Sequence, residues 1–285
     1  MTRSVAVLLL LAGAACSRGP GSPTSPTPPS TSTAVSYTAI AASDGIGFGG
    51  SAPCVPFADC PAGTGYVQIL TRRMADGGKV VAHLNLSIPG AVLSRAIEDL
   101  AASIGRSVPG NFIERESPFV PPATTHVTVF AGGNDANTIA QAAADGKGGS
   151  SPEGYVDTQV SHWGNDLEDL INRIRSRAPN ARIVALNLPN LAAAPYLASR
   201  TAAEKRLMQR VAVGLTDRVN ALVSRNVLVV DLMCDPRLIQ ASNYAADGFH
   251  PNDAGYTVIA ELVAPALLNG TAAAPSSNCA QRTRF

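Results

Sequence analysis

The chain has 285 residues, enough for one large domain or two small ones, with 46% hydrophobic and 15% charged residues and a formal net charge of +1. That balance supplies a substantial core and excludes electrostatic capture of nucleic acid or another polyanion as the basis of function.

The first sixteen residues read as a targeting segment outside the fold. Arg3 is a minimal positive region, Val5 to Ala12 an apolar stretch, and Gly13-Ala14-Ala15 a small-residue approach to Cys16. The apolar stretch is too short to stay in a bilayer as a spanning helix. A cysteine directly after small residues resembles a bacterial lipobox, which implies lipidation at Cys16 and attachment to a membrane there. Gly13 stands where a lipobox usually carries leucine, and ordinary signal-peptide cleavage is the alternative. Arg18 to Thr33 is almost entirely Pro, Ser, Thr and Gly. Such a segment stays extended and, at roughly 3.1 Å per residue, reaches about 50 Å. The expected division is a signal segment over 1–16, a linker over 17–34 and a domain over 35–285, exported and either anchored in the cell envelope or secreted.

Four more cysteines, Cys54, Cys60, Cys234 and Cys279, are an even number in an exported chain and suggest two disulfides. Three connectivities are open. Local pairing of Cys54 with Cys60 is the simplest and leaves Cys234 to tie a late strand to the C-terminal tail at Cys279. A metal site is the competing use, but C-x-x-C spacing and a nearby histidine are both missing.

An apolar run from Val35 and Tyr37 stops at Ser43 and is followed by Gly45, Gly47, Gly49 and Gly50, the pattern of a buried strand entering a tight turn. Tyr66 to Met74 reads as a helix and Lys79 to Leu86 as a second strand, broken by Pro89-Gly90. Val92 to Ile104 returns to helical spacing. His126 to Ala131 is a third strand, ended by Gly132-Gly133-Asn134-Asp135. The stretch 137–154 is small, polar and glycine-rich and reads as a long loop. A helix over 157–177, a fourth strand over Arg182 to Asn187, an amphipathic helix marked by Leu207, Val211, Leu215, Val219 and Leu222, a fifth strand over Val227 to Asp231 and a closing helix from Asp253 to Leu268, capped by Asn252 or Asp253, complete the series. Strands alternating with helices, each strand a short β-branched run, argue for a parallel sheet covered on both faces. No internal repeat or composition break divides Tyr37 to Leu268.

Parallel strands place their carboxyl ends on one edge, where ligands bind. Ser43, Gly90 and Asn134 follow the first three strands, and Asp247-Gly248-Phe249-His250 comes late in the chain. A serine needs a base to become a nucleophile, and a histidine needs a carboxylate to fix its tautomer; Asp247 and His250, three apart in a turn, supply both. Ser43 and Gly90, through their backbone N–H groups, and Asn134, through its side-chain amide, are candidate donors to an oxyanion. Each piece taken alone also fits an ordinary turn or helix cap.

In this order the four blocks resemble the SGNH hydrolases, the GDSL-type lipases and esterases, over about Tyr37 to Leu268. Ser43 matches the nucleophile, Gly90 the second block, Asn134 in Gly132-Gly133-Asn134-Asp135 the third, and Asp247-Gly248-Phe249-His250-Pro251 the last. One departure stands in the first block, where Ala41-Ala42-Ser43 replaces Gly-Asp-Ser; Asp44, after the serine, is the candidate to hold the turn instead. The resemblance implies a three-layer α/β/α sandwich with about five parallel strands in flavodoxin-like order. It also implies hydrolysis of an acyl ester, with no metal or cofactor, by a chain that acts as a monomer on a small-molecule, lipid or glycan ester. Two rivals remain. A metallophosphoesterase would have to find its ligands among His83, His126, His162 and His250, the four histidines of the chain. A non-catalytic or acyl-transferring lipoprotein would use the same scaffold to bind a glycan or acylated ligand.

Overall fold

The computed structural model describes residues 34–55 and 58–285. The targeting segment with Cys16 and the proline-rich stretch from Arg18 to Thr33 lie outside the described residues. Five strands form the sheet: β1 (Ala34–Ala41), β2 (Val80–Asn85), β3 (His126–Phe130), β4 (Arg182–Leu186) and β5 (Leu228–Val230). All pairings are parallel and the order is β2-β1-β3-β4-β5, the flavodoxin-like doubly wound order. The central strands are apolar on both faces, with Ala39, Ile40, Val127 and Val184 fully buried, because helices cover both sides.

The helices are α1 (Tyr66–Asp76), α2 (Arg95–Ser103), the single turn α3 (Phe112–Arg115), α4 (Gly133–Ala144), α5 (Pro152–Arg177), α6 (Ala202–Ala221) and α7 (Asp253–Ala264). One layer is α1 packed on α7; the other is built from α2, α4, α5 and α6, with α5 and α6 in extensive contact. Right-handed crossovers require this division, since the chain moves one way from β1 to β2 and the other way from β3 through β5. α6 begins with a reciprocal cap between Thr201 and Glu204, and Asn252 caps α7 by accepting from Gly255 N–H. No helix among the described residues is long and apolar enough to cross a membrane.

The expected long loop over 137–154 is not a loop. Residues 133–144 are α4, α5 starts at Pro152, and only 145–151 connect them. The alanines of Ala140-Gln141-Ala142-Ala143-Ala144 have the highest helix propensity of any residue, and Ile139, Ala140, Ala142 and Ala143 are buried. Short side chains there let α4 pack closely. Conversely, the helix expected from Val92 begins only at Arg95, because Val92 forms a parallel bridge with Asn111.

Both disulfides are the expected ones, Cys54–Cys60 and Cys234–Cys279, and two such bonds are consistent with an exported protein. The second closes a 45-residue separation that contains Asp247, His250 and α7. It also straps down a tail with little regular structure. Asn190 Nδ2 donates to the Gln281 carbonyl at 2.7 Å and Asp231 Oδ2 accepts from Ser276 N–H at 2.9 Å.

Candidate active site

Ser43 follows β1 and opens a one-turn 3-10 helix, Ser43–Ile46. The strand drives into the core at Ile40 and Ala41, so the next polar side chain emerges at the carboxyl edge, where Ser43 retains 6% exposure. The turn is held from the neighbouring strand: Asn85 Nδ2 donates to the Gly45 carbonyl at 2.8 Å, and Asn85 Oδ1 accepts from Ser87 N–H. Gly45 is required by space, since a Cβ there would lie 1.9 Å from Ser87 Oγ and 2.9 Å from the Ala41 Cβ. Asp44 does not hold the turn as expected. Its carboxylate bonds to no other residue among the described residues, and burial pushes its pKa up against the attraction of His250.

Gly90 sits third in the turn Ile88–Ala91, closed by Ala91 N–H to the Ile88 carbonyl at 3.0 Å, with Pro89 second and a Gly90 φ of +86°. This is a type II turn, whose third position favours glycine. Asn134 is the second residue of α4 and is 9% exposed. Its Nδ2 donates to the Ala91 carbonyl at 3.0 Å, tying the third block to the residue after Gly90. Asp135 completes the tie: its Oδ1 accepts from Leu93 N–H at 2.8 Å and Trp163 Nε1–H at 3.0 Å.

His250 and Asp247 lie in a loop after β5 that is pinned by an antiparallel bridge between Tyr244 and Pro251. His250 Nδ1 is 2.5 Å from Asp247 Oδ2, and His250 Nε2 is 2.8 Å from Ser43 Oγ. A carboxylate only accepts, so the ring proton belongs on Nδ1 and Nε2 is the acceptor facing the serine hydroxyl. Asp247 Oδ1 accepts from the N–H groups of Phe249 and His250. Burial raises the Asp247 pKa, but these hydrogen bonds and His250 outweigh it and hold the carboxyl below its usual range. The His250 ring lies between Phe48 and Phe249, with centroids at 4.6 and 4.8 Å. Phe48, 46% exposed, offers a free apolar surface beside this histidine.

The structure therefore brings together all five residues singled out in the sequence. Ser43 N–H and Gly90 N–H have no acceptor among the described residues, and Asn134 Nδ2 has used one of its two protons. The N-terminus of α4 adds positive potential at the same edge. Three groups were given no role in the sequence reading. Arg106 donates to the Asn134 carbonyl at 3.2 Å and to Asn134 Oδ1 at 3.1 Å. Buried Asp135 has its pKa pushed up to about 6 by desolvation. Glu116, buried under the turns, accepts from Ile88 N–H at 3.3 Å, and burial pushes its pKa well up. None had a sequence signal beyond a polar residue in a turn or helix.

A doubly wound α/β sandwich with a serine, a histidine and an aspartate bonded in series at the carboxyl edge of its sheet has the build of a serine hydrolase. The chain belongs to the GDSL-like lipase/acylhydrolase family, whose model matches residues 41–258. Among solved structures it is similar to the lipase Lip_vut3 from a goat rumen metagenome, at TM-score 0.55 and 18% identity over 80% of this chain and 95% of that one. It is also similar to an extracellular lipase of Streptomyces rimosus, at TM-score 0.51 and 17% identity over 83% of this chain and 100% of the other. At these identities the likeness is one of fold. No curated protein sequence matches the chain.

Proposed function

We propose that the chain hydrolyses carboxylic esters through an acyl-enzyme on Ser43. His250 Nε2 takes the Ser43 proton as Oγ attacks the ester carbonyl, and the negative charge moves to the carbonyl oxygen. Ser43 N–H, Gly90 N–H and the free Asn134 Nδ2–H receive that oxygen. His250 then protonates the leaving alcohol. Water repeats the sequence on the acyl-enzyme and frees the acid. Asp247 keeps the proton on Nδ1 and stabilises the imidazolium between steps.

The observation that carries this reading is the unbroken chain Ser43–His250–Asp247, with contacts of 2.8 and 2.5 Å between groups 207 and three residues apart. A serine-directed fluorophosphonate should label the protein at Ser43, and Ser43→Ala and His250→Ala should each remove labelling and hydrolysis of short aryl esters while leaving the melt nearly unchanged. Labelling that persists in Ser43→Ala overturns the nucleophile; a labelled protein that only transfers acyl groups to an added alcohol is an acyltransferase. Activity that survives a chelator dismisses the metal-dependent rival. Anchoring through a lipid on Cys16 is part of the same proposal, supported by the residues before it. Partition of the full chain into detergent, lost in Cys16→Ser, tests it.

A further inference from the structure

Arg106 is a cation at the catalytic edge without an acid of its own. It follows α2, is half-buried, and spends two of its N–H groups on Asn134. It makes no ion pair among the described residues, whereas Arg200, Arg210, Arg237 and Arg282 each face a carboxylate within 4 Å. Burial lowers its pKa, and Asp135, the acid that offsets this most, has its Oδ1 committed to Leu93 and Trp163.

Arg106 also lines a groove of about 590 Å³ that begins at Phe249, next to the catalytic histidine, and runs between α4 and the segment 196–208. Tyr196 closes one side, its ring edge-on to Phe249 at 5.1 Å and its hydroxyl donating to Asn137 Oδ1 at 2.8 Å. Farther along, Arg200 is paired with Glu204, and Asp145 ends α4. Of the two arginines that line the groove, Arg106 is the one with no carboxylate within 4 Å, and Asp44, the acid beside Ser43, does not line it. A half-buried guanidinium with N–H groups to spare binds carboxylate or phosphate with charge-assisted, directional bonds.

We propose that this groove receives an ester bearing a carboxylate or phosphate, and that Arg106 binds that group beside the scissile bond. The inference rests on the ester-hydrolase reading and narrows it to anionic esters. A role confined to orienting Asn134 would account for the two bonds but would give no preference for charge.

Two matched ester pairs separate these roles and also locate the charge. The mono-p-nitrophenyl ester of glutaric acid and p-nitrophenyl valerate differ on the acyl side; 4-acetoxybenzoate and 4-methylphenyl acetate differ on the alcohol side. Arg106→Gln should lower kcat/KM for the anionic member of at least one pair about 10- to 100-fold more than for its neutral partner, and Arg106→Lys should restore part of that difference. An equal loss on both members of both pairs overturns the proposal and leaves Arg106 as a support for Asn134. Calorimetric titration of the unaltered protein with glutarate and with its neutral diamide needs neither turnover nor a variant. Binding of glutarate alone is expected; equal binding, or none, overturns the anion site. If no ester of any charge is cleaved but glutarate binds, the ester reading fails and the anion site stands.

Discussion

Asn134 and Asp135 are adjacent in the chain and act in opposite directions, one toward the substrate and one into the core. Asn134 is held from both ends, by Arg106 on its oxygen and by the Ala91 carbonyl on its nitrogen, so its remaining N–H is fixed before substrate arrives. Asn134→Ala should lose about 100- to 1000-fold in kcat, the usual effect of removing one oxyanion donor; a change in KM alone would reduce Asn134 to a binding residue. Asp135 predicts a pH effect on stability. Desolvation raises its pKa from 3.8 to about 6, so the folded protein keeps a proton that the unfolded chain has lost. Its stabilising share is complete below pH 3.8 and is lost as pH rises through about 6, a change of about 3 kcal/mol. Asp44 and Glu116 are raised as well and add to the same slope. Asp135→Asn keeps an oxygen for Leu93 and Trp163, so urea unfolding of this variant should show a shallower decline between pH 4 and 7. Parallel curves for the two proteins would mean that Asp135 titrates normally. Ser43, Gly90 and Asn134 could be read from the sequence because each follows an apolar run, and His250 because Asp247 stands three residues before it in a turn. Arg106 could not, since Gly105-Arg106-Ser107 is an ordinary polar turn until α4 is folded beside it.

At the scale of elements, the strands were legible and α4 was not. Short apolar runs ended by a polar residue or a glycine mark the strands, whereas an alanine run between glycines reads as flexible until its buried face is known. The N-terminus of α4 carries Asn134 and its later turns line the groove at Asn137, Ala140 and Gln141, so the misread stretch lies beside the candidate site as a helix. The turn after β1 is the element most exposed to single changes. Gly45→Ala places a methyl group against Ser87 and Ala41, and both are wholly buried. Overpacking of this kind costs about 1–3 kcal/mol. The Tm should fall and kcat should fall with it, because relief of the clash moves Ser43 relative to His250. A variant with a lower Tm but unaltered kcat would show that the turn yields without moving the nucleophile.

For the whole molecule, the two disulfides differ in what they constrain. Cys54–Cys60 spans six residues and Cys234–Cys279 spans 45. On loop entropy the first stabilises by about 2 kcal/mol and the second by about 4 kcal/mol. Replacing Cys234 and Cys279 by serine should lower the denaturation midpoint about twice as much as replacing Cys54 and Cys60. If the short loop proved equally costly to open, its contribution would have to lie in native contacts. The longer bond also determines what cleavage of the chain can do. Ala241 and Ser242 are exposed and lie between Cys234 and Cys279, so a protease that cuts there leaves no free fragment. The histidine-bearing piece stays covalently joined to the piece bearing the serine, and only a reductant releases it. Nicked protein should migrate as one band without reductant and as two bands with it, with esterase activity lost at the second step if the nicked loop still closes.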